Sequence, residues 1–251
     1  MNLKLLSLGV ASAALLSACA TSTPVNEPAP VSVATPPPVV ETVEEEAKTG
    51  LSNIQVVEAS GGYSAWLVSE PAIPIVSINM AWSGGETSDP EGLTGATGLM
   101  TYMMNEGAGE LDSNAYATRM EELNMSFGCT SGDDWTSCSM STLSENFEEA
   151  MDMVRMGLTE TRFDAAPFER SIEETLIALQ RAETNPGTLA RRALYETIYP
   201  EGHPYARYAT PDTVQAVTVD DLRTQRDNIM VQDTLLILSL IHISEPTRLW
   251  T

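Results

Sequence analysis

Residues 51–83 place apolar and polar side chains in short alternating runs. "NIQVVEA" and "YSAWLVSE" read as two strands joined across a "SGG" turn, a hairpin pattern, and "IPIVSINMAWSGG" as a third strand closed by its glycines. Further on the apolar period lengthens. "SNAYATRMEELNM" (113–125) has helical spacing with Ser113 as its N-cap. "SENFEEAMDMVRMGLTE" opens at Ser144 and puts Phe147, Met151, Val154 and Leu158 on one helical face. "APFERSIEETLIALQRAET" is a longer helix stopped by "NPG", "TLARRALYETIY" another, and Thr218 with Asp221 caps a last one in "TVDDLRTQRDN". "DTLLIL" then starts another strand. Helices interleave with strands, while hairpins require antiparallel neighbours. The pattern therefore predicts an α+β fold, a mixed, largely antiparallel sheet with helices packed on one face.

One hairpin can be read residue by residue. With Asp133 and Asp134 as its turn, Thr130 faces Ser137 and Cys129 faces Cys138. Met125, Phe127, Cys129, Cys138 and Met140 then share one face, and Ser126, Gly128, Thr130, Ser137 and Ser139 the other. The 129/138 pair is a non-hydrogen-bonded one, with Cα atoms roughly 4.5 Å apart, within reach of a disulfide. Two readings stay open: a bridge between Cys129 and Cys138, or two buried free thiols. Two cysteines so placed lack the further ligands that a zinc site needs.

The ends of the chain carry no fold pattern. Lys4, the apolar run 5–16 and "LLSAC" form a secretory signal over residues 1–18, too short for a membrane span. Its ending resembles the bacterial lipobox, which makes Cys19 the lipidated first residue of the mature protein. Ala20 stands where an Asp often retains lipoproteins at the inner membrane, so the expected location is the bacterial cell envelope, lipid-anchored at the outer membrane and facing the periplasm. Residues 19–49 add a Pro- and Glu-rich tether that cannot build a core. At the other end, the eleven residues "LSLIHISEPTR" (238–248) match, codon by codon, a translated transposase adapter used in sequencing libraries. Residues 238–251 are therefore expected to be an assembly artefact, and the domain to occupy residues 50–237 with its last strand cut.

Charge narrows the partners. The 251 residues carry a formal net charge of −22. Such a balance argues against nucleic acid, which needs basic patches, and against attraction to anionic lipid.

The run "GGYSAWLVSEPAIPIVSINMAWSGGETSDPEGLTGATGLMTYMMNEGAG", followed later by "RAETNPGTLARRALYETIYPEGHPYARYATPDTVQAVTVDDLRT", resembles the pitrilysin/insulysin/mitochondrial processing peptidase family. The resemblance covers essentially all of residues 50–237 and implies that family's N-terminal domain fold. Peptide-cutting members hold zinc on an inverted His-x-x-Glu-His helix, where residues i and i+4 share a face and the intervening Glu activates the bound water. A distant Glu completes the ligand set. Aligned on "TGATGLMTYMMNEG", the first His position falls on Gly98, the base on Thr101 and the second His on Tyr102; the distant Glu falls on Ala178. The spacing of the family survives without its chemistry. No histidine precedes His203, and His242 lies in the adapter-like tail. His203 reads as structural. Glu106, Glu173 and Glu174 alone would make an all-carboxylate site, poor for zinc, and solvation of a helix face accounts for Glu173 and Glu174. On this alignment Gly98 and Met100 fill the space of metal and ligand.

The resemblance thus implies a catalytically inactive subunit with no catalytic or metal residues of its own. It would pair with a zinc-bearing homologue, zinc being confined to that partner, to bind and enclose peptides. Two alternatives remain: the inactive repeat of a longer active zinc peptidase, or a peptide-binding lipoprotein with no role in proteolysis.

Overall fold

The structure is a computed structural model that describes residues 54–58, 62–69 and 74–241. The signal, Cys19, the tether and the tail from His242 onward lie outside the described residues.

Among the described residues six strands form one sheet: β1 (Ile54–Glu58), β2 (Ser64–Ser69), β3 (Ile75–Ser83), β4 (Ser126–Ser131), β5 (Trp135–Leu143) and β6 (Leu236–Ile241). Their order is β1-β2-β6-β3-β5-β4. Every neighbouring pair is antiparallel except β2 and β6, which run parallel. Seven helices accompany them among the described residues: α1 (Ala96–Met103), α2 (Ser113–Glu122), α3 (Phe147–Thr159), α4 (Ala165–Ala182), α5 (Pro186–Ile198), α6 (Pro211–Ala216) and α7 (Val219–Ile229). The fold is α+β with a mixed, largely antiparallel sheet.

Alternation along the strands decides which face is covered. Val76, Ile78, Met80 and Trp82 of β3 are buried with Cys138 and Met140 of β5 and Phe127 of β4. Tyr116 of α2 and Ala150, Met153 and Val154 of α3 close over them. The opposite face keeps Asn79, Thr130, Ser137 and Ser139 exposed, so the helices sit on one side, as the period-two pattern requires. A second apolar cluster lies between helices, with Leu99, Met100 and Met103 of α1 packed with Phe163, Val214 and Leu222. Cys129 touches both clusters. Each such side chain contributes roughly 1.5–3 kcal/mol by leaving water.

The hairpin register is the one written from sequence: Cys129 faces Cys138 and Thr130 faces Ser137. Gly132 N donates to Trp135 O and closes the two-residue turn. Cys129 and Cys138 form a disulfide with Cα atoms 4.0 Å apart.

Several boundaries differ from the sequence reading. The N-cap of α2 is Asp112, whose carboxylate accepts from Ala115 N at 2.9 Å. Ser113 instead turns its hydroxyl onto Glu106 at 2.5 Å, while Asp112 reaches the free amides from one position earlier. Residues 144–146 form a 3-10 turn, and α3 begins at Phe147. "NPG" not only ends α4 but opens α5: Asn185 accepts from Thr188 N, and Pro186 sits where no amide donor is needed. Thr218 and Asp221 do form a reciprocal capping box on α7. Strand β6 runs on through residues 238–241, the first part of the adapter-like stretch, and lies between β2 and β3. That slot asks only for extended, mostly apolar residues, which Leu-Ser-Leu-Ile supplies whatever its origin.

Candidate functional site

Helix α1 is held at its start by a buried carboxylate. Asp89, 2% exposed, accepts from Gly95 N (2.7 Å), Thr97 N (2.9 Å) and Thr97 Oγ1 (2.6 Å), placing negative charge at the helix N-terminus. Gln225 of α7 donates to Thr97 Oγ1 at 2.9 Å and ties that helix in. Burial pushes the Asp89 carboxyl above the usual carboxylate range, and this outweighs its hydrogen bonds. Gly95 precedes the helix at φ 108°, where a Cβ would also stand 3.1 Å from Val214. The strand exit is pinned in a similar way. Glu86 N donates to Gly132 O and Gly84 N to Asp134 O, and a Cβ on Gly85 would lie 2.2 Å from Gly132 O. The Gly-Gly pair thus lets residues 84–87 lie against the β4–β5 turn and brings Glu86 to the front of α1.

The two faces of α1 then separate. Leu99, Met100 and Met103 point into the core, with Met100 and Met103 at 0% exposure. Met100 therefore does not fill the position of a metal. Two residues on a helix differ by roughly 200° in direction, so Met100 points away from Gly98. A Cβ on Gly98 would face Glu86 Oε1 and Ser131 Oγ, both at 3.9 Å. Thr101 is buried and donates to Gly98 O at 3.0 Å. Tyr102 is 41% exposed, and its hydroxyl donates to Glu174 Oε2 on α4 at 2.7 Å. Ala178 lies one turn beyond Glu174, on the wall of a cavity that Glu86 also lines. The aligned positions Gly98, Tyr102 and Ala178 are thus gathered around the α1–α4 junction by the fold.

Their chemistry does not fit zinc. Gly98 and Ala178 offer no donor atom, the Tyr102 hydroxyl is committed to Glu174, and Thr101 supplies no carboxylate where a base would stand. Glu174, exposed on α4, also accepts from the Tyr102 hydroxyl and so adds a polar contact between α1 and α4. Glu106 accepts from Ser113 Oγ (2.5 Å) and Arg170 Nη2 (2.6 Å), the latter also from α4. His203 caps a 3-10 turn through Nδ1, which accepts from Tyr205 N at 3.2 Å, and stacks on Tyr199 at 4.5 Å. Among the described residues no three His, Cys, Asp or Glu side chains converge as a metal site.

Beyond Ala178 the space between α4 and α5 stays open. A cavity of about 320 Å³ is lined there by Ala178, Arg191, Arg192, Tyr195, Tyr205 and Arg207, among others. Tyr205 donates to Asp134 in the hairpin turn, and Arg207 donates to Thr87 O (2.9 Å) and Asp89 O (3.2 Å), so the loop after α5 is fastened to the strand exit. Sequence reasoning missed these arginines. The adjacent pair "RR" at 191–192, in so acidic a chain, was the available signal.

The sequence profile of the insulinase family, peptidase family M16, matches residues 65–211, more than half of the chain. The chain belongs to the M16 peptidase family. Among solved structures, this M16 chain is similar to a peptidase M16 inactive domain from Pseudomonas fluorescens, with 23% sequence identity and a TM-score of 0.70. The match covers 76% of this chain and 47% of that one, a likeness of fold. The M16 chain spans about half the length of that structure. No curated protein matches it.

Proposed function

We propose that this M16 chain is a non-catalytic subunit that binds peptides and completes an enclosure with a zinc-bearing M16 homologue. The observation that supports the reading is the residue types at the aligned zinc positions: Gly98, Thr101, Tyr102 and Ala178 supply no imidazole or carboxylate to hold zinc or act as base. Ala178, at the edge of the α1–α4 junction, also lines the open cavity between α4 and α5, a concave space suited to a ligand. The expected setting is the periplasmic side of the bacterial outer membrane, through lipid on Cys19. The test is affinity purification from the native envelope with metal analysis. A zinc-bearing M16 homologue should co-elute, with peptidase activity in the pair and none in the chain alone. Activity of the pure chain, or purification with no such homologue, removes the reading.

A second reading is favoured by the length comparison, in which this chain matches about half of the Pseudomonas fluorescens structure. Here the domain is the inactive repeat of a longer zinc peptidase. Sequencing the locus past codon 237 decides it: a downstream His-x-x-Glu-His motif in frame supports it, and its absence rules it out.

A further inference from the structure

Positive charge is scarce in this protein, and more than half of the arginines among the described residues are neutralised at short range. Of the ten arginines among the described residues, Arg119, Arg155, Arg162, Arg170, Arg223 and Arg226 form ion pairs. Arg181, Arg191, Arg192 and Arg207 do not, and the last three line the α4–α5 cavity. Arg192 lies over the Tyr208 ring at 4.9 Å from its centroid, which orients the guanidinium without neutralising it. Arg207 spends its terminal nitrogens on backbone carbonyls and keeps a buried Nε without an acceptor. Two carboxylates, Glu86 and Asp133, line the same space, so three cations face two anions there, in a chain whose net charge is −22. Glu86 accepts from Ser131 Oγ at 2.9 Å and feels the Arg191 guanidinium across the cavity, but burial still holds its carboxyl above the usual range, so it offsets Arg191 only in part.

We infer that this cavity receives a carboxylate of the bound peptide, a chain terminus or an Asp or Glu side chain, on Arg191 and Arg192. A guanidinium fork matches a carboxylate with two parallel hydrogen bonds. The surrounding Tyr195, Tyr205 and Tyr208 give the adjoining residue an amphipathic wall. This rests on the peptide-binding reading above and adds which peptide chemistry the cavity selects. Against a protein field that repels acidic ligands elsewhere, a local cationic pocket also fixes where such a peptide docks.

The experiment is fluorescence anisotropy on the full chain with three labelled peptides of Ser, Leu and Ala. One has a free C-terminus, one a C-terminal amide, and one is the amide with an internal Asp. At low salt the free acid should bind about tenfold more tightly than the plain amide, the worth of one charge-assisted contact. If side-chain carboxylates enter as well, the Asp-containing amide regains that factor; if only termini do, it matches the plain amide. Arg191→Gln combined with Arg192→Gln should abolish the preference while leaving amide binding in place, and Arg191→Lys, which keeps charge without the fork, should fall between. Equal affinity for all three peptides, or a preference that survives the double substitution, overturns the carboxylate assignment while peptide binding stands. No binding of any peptide overturns both.

Discussion

Helix α4 meets α1 on one side and α5 on the other, and the polar groups on the two sides end differently. Toward α1, Glu174 takes the Tyr102 hydroxyl and Arg170 takes Glu106, which also holds Ser113. Toward α5, Arg191 and Arg192 face a cavity with no ion pair of their own. The first junction carries Gly98 and Tyr102 and is closed by side chains that satisfy one another. The second is not. A satisfied polar group holds a fold together, whereas an unsatisfied one remains available to a ligand. Substitutions on the α1 side should therefore change stability and leave peptide affinity alone, and those on the α5 side the reverse.

The largest effect is expected beneath the closed junction. Met100→Ala removes a wholly buried side chain from α1 and should cost about 2–5 kcal/mol in urea unfolding. A loss of less than a tenth of the stability would show that α1 is not packed as described. Next, breaking Cys129–Cys138 by serine substitution should cost about 2–3 kcal/mol by freeing the unfolded hairpin loop. Because that hairpin's turn also walls the cavity, a peptide affinity that moves with it would blur the separation between the two sides. Glu106→Gln, which leaves Arg170 uncompensated on a half-exposed surface, should cost about 1 kcal/mol. Tyr102→Phe should cost about 0.5 kcal/mol, since water can replace the lost partner at an exposed phenol. A much larger loss would mean that the Tyr102–Glu174 contact does most of the work of joining α1 to α4.

The smallest effect concerns Asp89. Its folded pKa lies above the unfolded value of about 3.9 because burial disfavours the charged form. A raised pKa favours the fold fully below the unfolded value, and that contribution disappears as pH rises through the folded one. Urea midpoints measured from pH 7 down to the carboxylate range should thus gain more in the wild type than in Asp89→Asn. An identical pH slope in the two proteins would contradict a burial-dominated carboxyl.

Much of the sheet was legible because a strand period is unambiguous where one face is buried. The Asp133-Asp134 turn and the alternation around it set the β5 partner of every residue in β4. Helix caps were less legible. Asp112 and Ser113 are both good N-caps, and the choice depended on Glu106 being near enough to take the serine. Met100 illustrates the same limit: alignment along the chain set it beside Gly98, but helical rotation sends the two in opposite directions.

By itself the sequence determined what this protein lacks at the aligned zinc positions, since no register of a chain without histidine before position 203 can place imidazoles on α1. It also determined the alternation that buries one sheet face and the helical stripes that cover it, because side-chain direction follows local period. Only the tertiary structure decided that β6 enters between β2 and β3, that Tyr102 reaches Glu174 across 72 residues of chain, and that three arginines without an ion pair, from α5 and the following loop, line one cavity with Ala178. Those outcomes depend on long-range packing and on which charges find partners, and spacing along a chain carries neither.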